Sequence, residues 1–174
     1  METLKKFLSD YITNTSAVSD AILLDENNFS DTNIYDVDGF YSHIQFRKDQ
    51  YQVQIFSTPS NFIIPEHKHP NVDSFEIYLS GDIDFSLDGS WLSNWDIKDH
   101  TFIDNLFVVE VEHDAIHGAI FGEGGGRFMS VQHWINEVKP SCVGLDYDGL
   151  GVSIKQSEVD KVKFKKDMTV YDAA

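Results

Sequence analysis

Residues 2 to 13 place Leu4, Phe7, Leu8, Tyr11 and Ile12 at i, i+3, i+4, i+7 and i+8, which is one face of a helix. Lys5, Lys6 and Asp10 fall away from that stripe. The pattern predicts an amphipathic N-terminal helix packed on the body of the protein. From about residue 39 the period shortens. Apolar or alternating runs recur at 40–47, 51–57, 61–64, 75–79, 82–86, 101–103, 106–112, 116–121 and 127–135. Asp, Asn, Ser, Gly and Pro lie between them. Leu87-Asp88-Gly89-Ser90 and Gly122-Glu123-Gly124-Gly125-Gly126 read as hairpin connections. About nine short strands at this spacing predict an all-β barrel or sandwich. The strand-helix alternation of a parallel α/β sheet is missing.

One run is informative residue by residue. Ser74, Glu76, Tyr78 and Ser80 share one face of a strand, and Phe75, Ile77 and Leu79 share the other. The polar face suits a barrel interior that holds a ligand. The apolar face needs cover, from the N-terminal helix or from a second subunit.

Charge and cysteine content narrow the partners. The net charge of −16 repels nucleic acid and anionic membrane surfaces, so neither is expected as a partner. The single cysteine, Cys142, allows no internal disulfide and no cysteine-based zinc site, and it reads as structural. No long apolar run follows Met1-Glu2-Thr3-Leu4-Lys5-Lys6, and none approaches the ~20 residues of a membrane span. A cytoplasmic protein is the expectation. Lys155, Lys161, Lys163, Lys165 and Lys166 give the tail a basic texture; it reads as a last strand or a loose end.

The candidate chemistry lies in seven histidines: 43, 67, 69, 100, 113, 117 and 133. In His67-Lys68-His69 the two imidazoles project to the same side of a strand and can reach one ion. In Glu112-His113-Asp114-Ala115-Ile116-His117-Gly118 a histidine enters a strand after a turn-like segment. Together these resemble the cupin superfamily, whose first motif is G-x5-H-x-H-x3,4-E-x6-G and whose second is G-x5-P-x-G-x2-H-x3-N. His67, His69 and Gly81 match the first motif, and His117 matches the histidine of the second. Asn61 stands at the first Gly, Ser74 at the usual Glu, Glu112 at the Pro, Asp114 at the Gly and Phe121 at the final Asn. Glu76 shares the face of Ser74 but lies roughly 6–7 Å further along the strand.

The resemblance covers about residues 40–135. It implies a single cupin-type double-stranded β-helix, a jelly-roll barrel, over 39–140. Residues 1–38 would then be the N-terminal helix and lead-in, and 141–174 a C-terminal extension on the barrel or a partner. It implies a metal at the barrel centre held by His67, His69 and His117. Glu76 is either the fourth ligand or, beside a three-histidine site, an acid/base, a residue supporting the ligands, or a buried carboxylate paired with a histidine or a substrate cation. It also points to a homodimer. Ser74, Phe121 and Ala119 would line the pocket. Tyr78 is a candidate acid or base, and His133 either positions substrate or is a hydrogen-bonded barrel histidine. His113 reads as a loop residue; His43 and His100 read as structural or solvent-facing.

Imidazoles with at most one carboxylate suit Fe2+, Mn2+, Ni2+, Zn2+ or copper, whereas calcium and magnesium prefer all-oxygen shells. Open positions on such an ion permit catalysis. The expected ligand is a small polar or amphipathic organic substrate. Arg47 and Arg127 are the only arginines, and their reach to the pocket mouth is open. Three readings follow: a non-heme iron oxygenase; a metal-dependent lyase, isomerase or cyclase using Tyr78 or Glu76; and a non-catalytic small-molecule-binding cupin.

Overall fold

A computed structural model describes residues 1–29, 31–32, 39–93 and 106–140. His100, Cys142, the expected strand at 101–103 and the expected 141–174 extension lie outside the described residues. The N-terminal stripe forms the predicted helix, α1 (Glu2–Asn14). A second helix, α2 (Ala17–Leu23), and a single 3-10 turn (Glu26–Asn28) follow. The rest is antiparallel sheet: β1 (Asp31–Thr32), β2 (Tyr41–Lys48), β3 (Tyr51–Thr58), β4 (Ile63–His67), β5 (Val72–Leu87), β6 (Ser90–Ser93), β7 (Val108–Val111) and β8 (His117–Trp134). No helix among the described residues is long and apolar enough to cross a membrane.

β5 and β8 are long because each serves two sheets. Residues 72–80 of β5 pair with β7 and with residues 127–134 of β8, and β3, β2 and β1 continue that sheet. Residues 83–87 of β5 pair with β6 and with residues 117–121 of β8, whose other neighbour is β4. Two sheets built on one pair of bent strands form the expected double-stranded β-helix. The bend sits at register shifts between Tyr78 and Ser80 and between Gly81 and Ile83.

The glycine segment 122–126 is therefore not a hairpin, and 75–79 and 82–86 are not separate strands. Both expectations are corrected by the close approach of Gly81 to its partner Gly126. A Cβ on Gly81 would stand 2.4 Å from the Gly125 oxygen and 2.5 Å from the Gly126 Cα. Only glycine lets two backbones come this near, so the glycines carry the strands around the corner rather than ending them. The expected turn after β5 does form. Asp88 and Gly89 have φ of 47° and 85°, as a two-residue type I′ hairpin requires.

The alternation along β5 divides two apolar clusters. Phe40, Phe56, Phe62, Ile83, Phe85, Phe107, Phe121 and Phe128 fill the space between the sheets. Val53, Ile55, Phe75, Ile77, Met129 and Val131 face outward and pack against Leu4 and Leu8 of α1 and Ala17 and Ala21 of α2. The chain's own helices thus cover the outer face of β5, which therefore does not itself require a second subunit. Arg127 donates to the carbonyls of Ala21, Ile22 and Leu24 at 2.9, 3.1 and 2.7 Å, closing the C-terminal end of α2.

Candidate metal centre

The end of the barrel where β4 meets β8 holds the histidines. His67 is the last residue of β4 and pairs across the ladder with His117, the first of β8. A register shift between Ile64 and His67 turns the imidazole inward past the odd residue count. His69 lies two residues on, before β5. The ring centroids are 4.7 Å apart for His67 and His69, 4.4 Å for His67 and His117, and 5.0 Å for His69 and His117. One ligand nitrogen from each lies within 4.8 Å of the other two. Among the described residues this is the group that can hold a metal ion.

The protonation of the group fits that use. Burial holds His69 well below the ordinary imidazole value, with the His67 and His117 charges adding to it. Burial pushes His117 down to about 3; the His67 charge acts the same way and the Ala115 carbonyl acts against it. Both imidazoles are therefore neutral at pH 7, the form that ligates metals. His117 Nδ1 is 2.9 Å from the Ala115 carbonyl, and donating there leaves Nε2 as the lone-pair nitrogen. His67 Nε2 and His69 Nε2 are 3.0 Å apart. Three imidazole nitrogens within 4.8 Å of one another suit a borderline transition ion.

The turn between β7 and β8 braces this arrangement. Asp73 Oδ1 accepts from the His113 backbone N–H at 2.7 Å and faces its Nδ1 at 2.8 Å. The next residue, Asp114, donates its N–H to the His69 carbonyl at 3.0 Å. Burial alone would raise the Asp73 carboxyl; the His113 bonds outweigh it and hold it below the ordinary value.

A cavity of about 540 Å³, part of it open solvent, extends from the triad into the barrel. His67, His69, His117, Ser74, Glu76, Ser130 and Gln132 supply its polar lining, and Phe40, Phe56, Phe85, Phe128, Ile64 and Ala119 its apolar lining. Pairing across the first sheet orders the wall in rows. Gln52, Gln132 and Ser74 form one; Gln54, Ser130 and Glu76 the next; Phe56, Phe128 and Tyr78 the third. Glu76 Oε1 accepts from Ser74 at 2.7 Å and from Ser130 at 2.9 Å. Burial pushes its carboxyl up to about 7, against the pull of those two bonds.

Several expected site residues stand elsewhere. Glu76 is in the cavity but not in the ligand group, so the triad is all-histidine. Tyr78 donates its hydroxyl to the Gly81 carbonyl at 2.8 Å at the sheet corner and does not line the cavity. Its place in the third row leaves the phenol at the bend. Phe121 is fully buried in the inter-sheet core below the cavity lining. His133 faces the opposite way from Gln132 and stacks on Tyr51 with centroids 4.7 Å apart. Ser74 and Ala119 do line the cavity. Arg47 is engaged with Gln52 Oε1 at 2.6 Å.

Two features of the site go beyond the sequence expectations, the first of them visible in the alternation and the second not. The alternation of Gln52 and Gln54 within 51–57 puts both amides on the inner face. Gln52 Nε2 donates to Gln132 Oε1 at 2.9 Å, and Gln132 Nε2 donates to Ser130 Oγ at 3.2 Å. The Asp73–His113 pair left no local signal, because the two residues are 40 apart in sequence.

No family model matches the chain, and no curated protein matches it. Solved structures do. KdgF from Halomonas sp. is 17% identical over 64% of this chain and 91% of its own, with a TM-score of 0.49. An RmlC-like cupin from Shewanella frigidimarina is 14% identical over 65% and 90%, with a TM-score of 0.49. A cupin-2 domain from Rhodospirillum rubrum is 8% identical over 59% and 63%, with a TM-score of 0.44. The chemistry rests on the residues just described.

Proposed function

We propose that the cavity belongs to a metal-dependent enzyme acting on a small polar or amphipathic organic molecule, with the ion held by His67, His69 and His117. The observation that carries this is the convergence of three imidazole nitrogens within 4.8 Å at the head of a lined cavity. A transition ion bound there would supply open coordination positions and Lewis acidity. The chain's residues do the rest. The Ala115 carbonyl orients His117. The phenyl rings of Phe40, Phe56, Phe85 and Phe128 keep the cavity wall dry. Glu76 sets a carboxyl that gives or takes a proton near pH 7 beside the ligand.

Fe2+ in a non-heme oxygenase is the first form of this reading, since an all-imidazole set leaves room for both substrate and dioxygen. A non-redox lyase, isomerase or cyclase is the second. Glu76 favours it: a buried carboxyl at about 7 exchanges protons readily at neutral pH. Elemental analysis of untagged protein beside a His67→Ala/His117→Ala variant tests both. Near-stoichiometric iron, lost in the variant and accompanied by oxygen uptake on a substrate screen, supports the first. Stoichiometric Zn2+, Mn2+ or Ni2+ with anaerobic turnover supports the second. A wild type that takes up no transition metal even on reconstitution overturns both and leaves a binding protein.

A further inference from the structure

The wall opposite the triad offers a ligand an unusual set of groups. Gln132 spends its amide within the wall, donating to Gln54 and Ser130 and accepting from Gln52 and Trp134. Ser74 and Ser130 both give their hydroxyl protons to Glu76 Oε1. The donors of Ser74, Ser130 and Gln132 are thus used up. What remains, once the carboxyl is ionised above about 7, is an acceptor: Glu76 Oε2, which takes no hydrogen bond from the protein although the side chain is only 8% exposed. Among the described residues no lysine or arginine lines the cavity. The row below Glu76 is aromatic. Phe56 and Phe128 stack at 4.9 Å, and Phe85 meets Phe128 edge-on at 5.8 Å.

An acceptor carboxylate above phenyl rings attracts a group that carries positive charge and N–H or C–H donors, because ring faces and carboxylate both favour a cation. The net charge of −16 draws cations toward the chain and holds anions off. We propose that the cavity selects small molecules bearing an ammonium group, with the cationic end seated between Glu76 Oε2 and the rings of Phe56 and Phe128. The other end of the molecule then points toward the histidines. This deepens the enzyme reading by naming its substrate class, and it rests on the cavity being the functional site. A neutral polyol would use the acceptor but draw nothing from the rings or the field. An anion would meet Glu76 unopposed.

The test uses metal-free full-length protein, so that it does not depend on the ion. Binding of choline and ethanolamine is measured by calorimetry or ligand-observed NMR, beside the neutral isosteres 3,3-dimethylbutan-1-ol and ethylene glycol. Each cation is expected to bind at least about tenfold more tightly than its isostere. Glu76→Gln, which keeps shape and hydrogen-bond capacity, is expected to abolish that preference. Phe128→Leu is expected to reduce it severalfold while leaving the isosteres unchanged. Circular dichroism confirms that both variants fold. Isosteres binding as well as cations, a preference surviving Glu76→Gln, or no probe binding at tens of millimolar would each overturn the proposal. Metal uptake by the wild type is measured separately: intact uptake with no cation preference in the wild type removes this proposal alone, and no uptake by the wild type removes the metal reading.

Discussion

Burial of the Glu76 carboxyl against Ser74 and Ser130 raises it from 4.5 to about 7, and that shift is a statement about stability. An acid with a raised value binds more protons folded than unfolded between about 4.5 and 7. Stability therefore falls as pH rises through that window and levels off above it. At ~1.4 kcal/mol per pH unit the fall is about 3 kcal/mol. Two other groups of the cavity act oppositely. His69 and His117 are lowered by burial, so their unfolded forms gain protons below about 6.5 and stability falls toward acid. Both contributions are the same in wild type and Glu76→Gln, so the difference between the proteins isolates Glu76. In metal-free protein, urea denaturation is expected to favour the variant more at pH 8 than at pH 5, by about 2–3 kcal/mol. An equal difference at the two pH values would mean that Glu76 is already ionised at pH 5 in the folded chain.

At the scale of elements, the turn between β7 and β8 carries more of the site than its own residues suggest. Asp73 of β5 holds His113, Asp114 holds the His69 carbonyl and Ala115 holds His117 Nδ1. One short segment thereby orients the His117 ring and holds the backbone of His69. Asp73→Asn keeps an acceptor for the backbone N–H and loses the charge-assisted bond to the ring. Zn2+ affinity by chelator competition is expected to fall about 10–100-fold, with a shifted Co2+ absorption spectrum while the fold is kept. Unchanged affinity would leave the turn as packing only. The triad itself was legible because His67, His69 and His117 sit in recognisable local spacings. The turn's role was not, since it depends on a pair distant in sequence. The glycines misled for a related reason: Gly122–Gly126 looks like a hairpin locally, and only the approach of Gly81 makes it a corner. The outer face of β5 was legible as apolar but not as to its cover, which Leu4 and Leu8 supply. Leu8→Ala is expected to cost about 2–5 kcal/mol, seen as a lower midpoint in denaturant. A loss below 1 kcal/mol would mean that α1 is not docked in solution.

For the whole molecule, the two sheets meet at one glycine corner and again at the histidines. Gly81 has φ +89° and no space for a Cβ, so Gly81→Ala is expected to cost about 3 kcal/mol or more. The other end is held less firmly. β4 is an edge strand whose one ladder partner among the described strands is β8. Its last residue, His67, stands directly opposite His117. An ion shared by those two and His69 would join the edge strand, the segment after it and the start of β8. Metal binding should then stabilise one region of the fold, not only the global equilibrium. At a free ion concentration ~100 times Kd the gain is about 2.7 kcal/mol. Hydrogen exchange is expected to slow on Zn2+ loading at residues 63–69 and 113–119, with little change in residues 51–58 of β3. The slowing should vanish in His117→Ala. Uniform slowing along the chain, or none in the wild type at saturating Zn2+, would mean that the triad does not tie β4 to β8 through an ion.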